Sequence, residues 1–455
     1  MNPTVALIGA FVVLISAPGI VVASASIRTS AMTGTPLSGA GDDVAVDRIF
    51  AGVLNNSGQT FATGTVSGAG VTPEGHRASW IETTQSQLRL VARQNDPVPG
   101  VSSDWAVQSL TSLNMNEQGQ ALSLGLLTNR SGGPNNLIDG RGVWIYDSAK
   151  GLHTIASSYT QAAGLSRGVQ YEFFYIPPVF NDDGQVAFDS QLTGPGATDV
   201  SGGMWLYDQD AGLRLIARDG IEIPGPYGVF MIDAAAPVSI NNDGLVAVTA
   251  RDGSTGAILI YESNATQSED SPAELTDRPG VGLRFAVYTG QGVPGIQGGA
   301  FETLRSPRLN DAGQMAFGAT LRLNSFVTRD NDGGIWVYSE GEEIDLILRE
   351  GDQAPGAANG VTFSSWYGPV LNGAGHVAVQ ATGTDGDGDR GQGIWAQRED
   401  GDLALVAFIG EAAPGTEEGV YFDSFAGSPP AFNVYNQLAF TANLAGDSTH
   451  DANDK

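Results

Sequence analysis

The chain contains no cysteine in 455 residues, two lysines (Lys150 and Lys455) and four histidines. Without thiols there are no disulfides, no thiolate zinc sites, no iron–sulfur clusters and no cysteine nucleophile. Basic groups are scarce: Lys plus Arg is 22 against 50 Asp plus Glu, a formal net charge of −28. A protein that grips nucleic acid by neutralising phosphates needs a basic stripe, and none is present, so no nucleic-acid partner is expected. The same count excludes a polybasic membrane-surface protein. Four scattered histidines leave little for a histidine metal site. Long apolar runs are also missing, with one exception at residues 5–25, which Pro18 and Gly19 interrupt. Small residues Ala23 and Ala25 frame a cleavage point before Ser26, and residues 1–25 read as a secretory signal peptide. It departs from the pattern in one respect: the first charged residue is Arg28, so the basic start is absent. The competing reading is a retained anchor. Either way the protein is expected to be exported to the cell surface, the extracellular space or the periplasm. It would meet a membrane only through a signal or anchor segment.

What is abundant is glycine, 62 residues, and self-similarity. The phrase Asn181-Asp-Asp-Gly184-Gln-Val-Ala-Phe188 returns as Asn310-Asp-Ala-Gly313-Gln-Met-Ala-Phe317. Variants begin at Asn241 and Asn372, and weaker copies at Asn55, Asn116 and Asn433, where Asn436 replaces the glycine. The seven copies are spaced 60 to 69 residues apart, a period that signals a repeat architecture. A second landmark is Gly-x-Trp at Trp144, Trp205, Trp336 and Trp395, with Trp80 and Leu259 in the same place. A third is an apolar strand that ends 13 residues after the Trp, as in Leu213-Arg-Leu-Ile-Ala-Arg218. A Pro-Gly pair follows, at Pro99, Pro224, Pro294, Pro355 and Pro414. In the fourth unit the Trp-to-strand distance stretches from 13 to 29, and residues 263–280, rich in Ser, Asp, Glu and Pro, read as an exposed insertion.

Each unit thus holds about four short strands: one before the Asn, such as Phe301–Leu309, one after the Gly, the Trp strand and the strand after it. Short β-runs separated by Asn and Gly turns argue against helix. In Asn-x-x-Gly the side chain of Asn caps the turn and Gly takes the positive φ that re-enters the ladder. Seven such units describe an all-β, seven-bladed β-propeller of four-stranded blades spanning residues 26–455. Residues 25–36 are expected to supply the last strand of the seventh blade, with Pro36 in the Pro-Gly place. That blade's Trp strand would fall at or past Lys455, so the blade is expected to be incomplete. The regularly spaced Trp residues are expected between blades.

The phrase Asn-x-x-Gly-x-x-Ala-Phe resembles the NxxGxxAF tandem repeats of exported bacterial proteins with varied C-terminal anchors. The resemblance covers about residues 45 to 445. It implies an exported, surface-linked protein and no common activity.

Loops after the second and fourth strands share one face and vary in length, the usual place for binding. Asp96, Asp219, Asp352 and Glu411 lie there, just ahead of the Pro-Gly turns, with Asp330 and Asp332. Such an acidic face fits a cation or a cationic or hydroxyl-rich partner. The sharpest metal motif is Asp385-Gly-Asp387-Gly-Asp389: alternating carboxylates can aim oxygens at one calcium ion. Its match to an EF-hand loop fails at Arg390 and Ala396, and a solvated loop is the competing reading. No other cofactor is expected. No Gly-x-Ser-x-Gly elbow is present, and 50 carboxylates single out no catalytic pair. Three readings of function remain: a non-enzymatic surface or extracellular module that binds protein or carbohydrate, a carbohydrate-active hydrolase or lyase using carboxylates, or a structural element of an anchored surface protein.

Overall fold

The four-strand unit read from the repeat is the unit the chain builds. A computed structural model describes residues 11–14, 31 and 33–446, less 56, 58, 73–74, 84–86, 130–137, 198–201, 227, 233, 263–281, 415, 417 and 426–428. The insertion at 263–280 and most of the signal segment lie outside these residues. The described residues hold strands and turns and no α-helix.

The chain falls into two compact units, one built mainly from Arg28–Asp252 and the other mainly from Arg284–Lys455 with Gly253–Ile260. In the first, Ala45–Leu54, Thr60–Ser67, Arg77–Glu82 and Leu88–Arg93 pair in sequence order as an antiparallel sheet. Trp105–Met115, Ala121–Asn129, Ile138–Asp147 and Gly151–Ser157 repeat that order. A third sheet follows it with Val186–Thr193, Gly202–Asp208 and Gly212–Arg218, its first strand split into Gln170–Tyr171 and Val179–Phe180. In the second unit, Phe301–Leu309, Met315–Leu321, Gly333–Tyr338 and Asp345–Arg349 form one such sheet. Val377–Thr384, Arg390–Gln397 and Leu403–Phe408 belong to the next. The protein is therefore all-β, and its repeating element is the up-and-down meander of a β-propeller blade.

Three contacts explain the repeated phrase. The closing Phe of the phrase lies opposite the Trp: Phe188 pairs with Trp205, and their rings stack at 5.8 Å and 17°. The glycine two residues before the Trp leaves room for the indole, since a Cβ on Gly203 would sit 2.7 Å from the Trp205 ring. Each Trp also marks a β-bulge against the following strand, as between Met204 and Trp205 or Ile335 and Trp336. The bulge belongs to the constant 13-residue spacing and adds local twist.

The five Trp residues are fully buried at 0% exposure. Three of them, Trp144, Trp205 and Trp395, pack between successive sheets, as expected. Trp205 shares a core with Leu122, Val143 and Ile145 of the preceding sheet, and Trp144 shares one with Phe61 and Ile81. In the second unit Trp395 packs with Ala316, Ile335 and Val337 of the sheet before it.

The place of Pro36 differs from expectation. Pro36 bridges Ala45 as Pro97 bridges Ala106, so Pro36 corresponds to Pro97 and not to the Pro of a Pro-Gly pair. Residues 33–38 join the first sheet, with Ser38 N–H donating to Leu88 O and Ser38 O accepting from Leu90 N–H. Residues 25–30 lie outside the described residues. Near the other end, Phe11–Leu14 pairs antiparallel with Gln437–Phe440, and Tyr421–Phe425 pairs with Ala442–Ala445. The local reason is an open row of N–H and C=O groups along Gln437–Phe440, which an extended apolar segment can pair.

Candidate functional site

Most of the polar motifs read from the sequence serve the scaffold. The repeat asparagines are buried, between 2% and 5% exposed at Asn55, Asn116, Asn181, Asn241, Asn310 and Asn372. Asn181 Oδ1 accepts from Gln185 N–H at 2.9 Å, and its Nδ2 donates to Gln185 Oε1 at 2.8 Å. The same Nδ2 donates to the carbonyl of Asn241 at 2.9 Å. Asn55 reaches Asn116 O, Asn116 reaches Asn181 O, Asn310 reaches Asn372 O and Asn372 reaches Asn433 O in the same way. Each cap is therefore also a clasp onto the next repeat. In the sixth repeat His376 stands in the Gln place and its Nδ1 lies 2.9 Å from Asn436 Oδ1.

Several acids ahead of the Pro-Gly turns are tied to those turns. Asp96 Oδ2 accepts from Arg93 N–H at 2.7 Å, and Glu411 Oε2 from Phe408 N–H at 3.0 Å. Gln291 does the same work for Tyr288 N–H without a charge, so the position asks for an acceptor and not for a carboxylate. In the aspartate loop, Asp385 Oδ1 accepts from the backbone N–H of Asp387 at 3.0 Å and of Asp389 at 2.9 Å. Asp387 and Asp389 are exposed. This is an Asx-capped hairpin turn, and among the described residues no group of His, Asp or Glu side chains is gathered as a metal site.

Three carboxyls are pushed upward. Burial raises Asp189 to about 6 against the hydrogen bond from Ile176 N–H, and its Oδ1 has no partner. Burial raises Glu350, aided by the charge of Asp332, although Gly333 N–H donates to Glu350 Oε2 at 3.0 Å. Burial also raises Asp352.

A different group stands out on the surface of the first unit. Trp105 and the 43%-exposed Tyr159 stack, with ring centroids 5.7 Å apart and planes at 23°. Phe173 and Tyr175 are exposed as well, and their rings lie 5.8 Å apart. The Arg141 guanidinium sits 5.8 Å over Phe173, and its Nη1 donates to Phe174 O at 2.8 Å. Ser158 ties the pieces together: its Oγ accepts from Arg141 N–H at 2.9 Å and donates to Glu172 O at 2.6 Å. Gly140 lies beneath; a Cβ there would touch both the Trp105 ring at 3.5 Å and Ser158 at 3.2 Å. Tyr175 Oη donates to Gln191 Oε1 at 3.3 Å.

The backbone of Tyr159 sets this group apart. It has φ 65°, in the left-handed region. The corresponding turn residues, each donating its N–H to the next strand in the same way, are Gly34 at 89°, Asn95 at 71°, Gly220 at 79°, Gly290 at 91°, Gly351 at 84° and Gly410 at 81°. A left-handed residue with a Cβ costs roughly 1–2 kcal/mol, so a bulky aromatic here is against local preference. The sequence analysis did not single out Trp105, Tyr159, Phe173 or Tyr175. The signal was present in two places: Ser157-Ser158-Tyr159 aligned with Arg349-Glu350-Gly351, and the dense run Tyr171-Glu-Phe-Phe-Tyr175.

Over residues 18–161 and 260–455 the sequence matches a family described as a family of unknown function, DUF7453. The chain belongs to that family. No curated protein matches it. Among solved structures it is similar to prolyl oligopeptidase B from Galerina marginata, at 8% identity and TM-score 0.40, covering 91% of this chain and 50% of that one. The chain thus spans about half the length of that protein. It is similar to a periplasmic gluconolactonase from Pseudomonas aeruginosa at 12% identity and TM-score 0.34, covering 85% and 98% of the two chains. It is similar to an ulvan lyase of polysaccharide lyase family PL25 at 11% identity and TM-score 0.32, covering 89% and 94%. With every one of these scores below 0.5, the fold rests on the family member's own sheets.

Proposed function

We propose that this family member is an exported, non-catalytic binding module whose first unit holds a saccharide against Trp105, Tyr159, Phe173 and Tyr175. The observation that carries this is Tyr159, a tyrosine at a left-handed turn position that glycine or asparagine fills at six other such turns. Strain of that kind is kept where a side chain has work to do. Flat rings with an apolar face and polar edge groups suit a ligand that alternates C–H faces with hydroxyls. Arg141 and Gln191 stand beside the rings to meet those hydroxyls. Export is supported by the apolar segment 5–25, and surface attachment by the repeat phrase.

Affinity electrophoresis through gels containing neutral and acidic polysaccharides tests the reading. At least one polysaccharide should retard the protein. Trp105→Ala and Tyr159→Ala should each weaken retention about tenfold or more, while Tyr435→Ala, exposed at a turn of the second unit, should not. Equal retention of all the variants, or no retention in any gel, refutes the aromatic site. Release of reducing ends or unsaturated sugar from the gels would favour the hydrolase or lyase reading instead.

A further inference from the structure

The aromatic site of the first unit includes a charge that stacking alone does not require. Arg141 is half-buried, and its guanidinium lies 5.8 Å over the ring of Phe173. Its Nη1 donates to Phe174 O at 2.8 Å. Among the described residues the guanidinium has no other hydrogen bond and no ion pair. A guanidinium is a fork of several N–H donors, so most of them stay uncommitted beside the rings. Gln191 adds a further donor: its Oε1 accepts from Tyr175 Oη at 3.3 Å, and its Nε2 has no partner among the described residues. Two acids adjoin the rings in sequence, Asp104 before Trp105 and Glu172 before Phe173. Asp104 Oδ2 accepts from Ser102 Oγ at 3.0 Å, within its own turn, and neither acid forms an ion pair with Arg141. Asp189, on the strand of Gln191, accepts from Ile176 N–H.

A set of donors around an unpaired cation fits an acceptor that carries negative charge. One N–H anchored to a carbonyl and a charge laid on a ring fix the fork before a ligand arrives, which lowers the cost of binding. We propose, resting on the aromatic reading above, that the saccharide of this site is acidic, a polyuronate whose carboxylate is received by Arg141. The rings take the C–H faces of the sugar, and Arg141 selects sugars that carry a carboxylate. Two carboxylate oxygens match two parallel N–H groups of a guanidinium. The net charge of −28 opposes a polyanion, but at physiological salt the screening length is about 8 Å. Distant acids are then largely screened, and a contact within hydrogen-bond reach is not.

The test is affinity electrophoresis at physiological salt with polygalacturonate and polymannuronate, each beside its carboxyl-reduced form, and with dextran sulfate beside dextran. At least one polyuronate should retain the protein about tenfold more strongly than its reduced form, which shares the backbone and lacks the charge. Arg141→Gln should bring the polyuronate down to the level of its reduced form. Arg141→Lys, which keeps the charge and loses the fork, should retain a smaller difference. Equal retention by a polyuronate and its reduced form, or an undiminished difference in both Arg141 variants, overturns the acidic assignment and leaves the aromatic site standing. Retention by dextran sulfate with none by either polyuronate overturns it as well. No retention by any polymer refutes the aromatic site itself, and the acidic ligand with it. Should Arg141→Gln melt far below the parent, Arg141→Lys and competition on the parent decide: free galacturonate should displace it from the polyuronate at about a tenth of the concentration that galactose needs. Equal potency of the two sugars overturns the assignment.

Discussion

Asn181 donates from its Nδ2 to the backbone carbonyl of Asn241, sixty residues on, at 2.9 Å. Both residues open a turn, so one turn holds the next. Buried amides in this arrangement satisfy carbonyls that no ladder reaches.

Removing one clasp should be costly. Asn181→Ala leaves Gln185 N–H and Gln185 Oε1 without their partner, and Asn241 O keeps only the turn bond from Gly244 N–H. Unmet buried groups cost roughly 1–3 kcal/mol each, with some relief from water, so a loss of about 2–4 kcal/mol is expected. Urea unfolding measures it. Asn181→Asp keeps the acceptor and loses the donor. It should be at least as damaging at neutral pH and improve as the pH falls toward the ordinary aspartate pKa of about 4.

Tyr159→Gly should separate stability from binding. Relief of the left-handed backbone, roughly 1–2 kcal/mol, offsets the lost stack with Trp105, roughly 0.5–1.5 kcal/mol. The melting temperature should therefore change little while polysaccharide retention is lost. A large drop in melting temperature would mean that Tyr159 is there for the fold.

The tryptophans should not be equivalent. Trp205 Nε1 donates to Ala163 O at 2.9 Å and Trp395 Nε1 to Pro355 O at 2.9 Å, whereas Trp336 Nε1 is buried without a partner. Replacement by Phe removes similar volume at each. Trp205→Phe should cost about 1 kcal/mol more than Trp336→Phe, the net worth of one hydrogen bond. Parallel chemical denaturation of the two variants checks it.

Asp189 predicts a pH dependence. Burial lifts its folded pKa to about 6, above the value near 4 in an unfolded chain. The folded state therefore binds the extra proton between these values. The contribution of Asp189 to stability is greatest below about pH 4 and falls as the pH rises through about 6. Asp189→Asn should be more stable than the parent at pH 7, by an amount of order 2 kcal/mol, and the difference should vanish near pH 4. A constant difference across that range would assign the effect to packing.

The strands were legible in the sequence because their causes are local. Alternation, the Asn-x-x-Gly turn and the Gly-x-Trp spacing each act within a few residues, and Phe301–Leu309 was placed to the residue. The asparagines were legible only as caps, since the partner carbonyl lies some sixty residues away. The acids before the Pro-Gly turns looked like a binding face. At Asp96 and Glu411 they are tied to backbone N–H groups three residues earlier, a bond composition cannot show.

Sequence alone thus determined the strand pattern, the period and the burial of the tryptophans, because hydrophobic alternation and turn chemistry need no distant partner. Only the tertiary structure decided which exposed side chains stand together. It brought Trp105 to Tyr159 across fifty-four positions. The reason is geometric: neighbouring sheets bury an apolar interface, and what that packing carries to the surface or leaves in a cleft depends on which strands face each other.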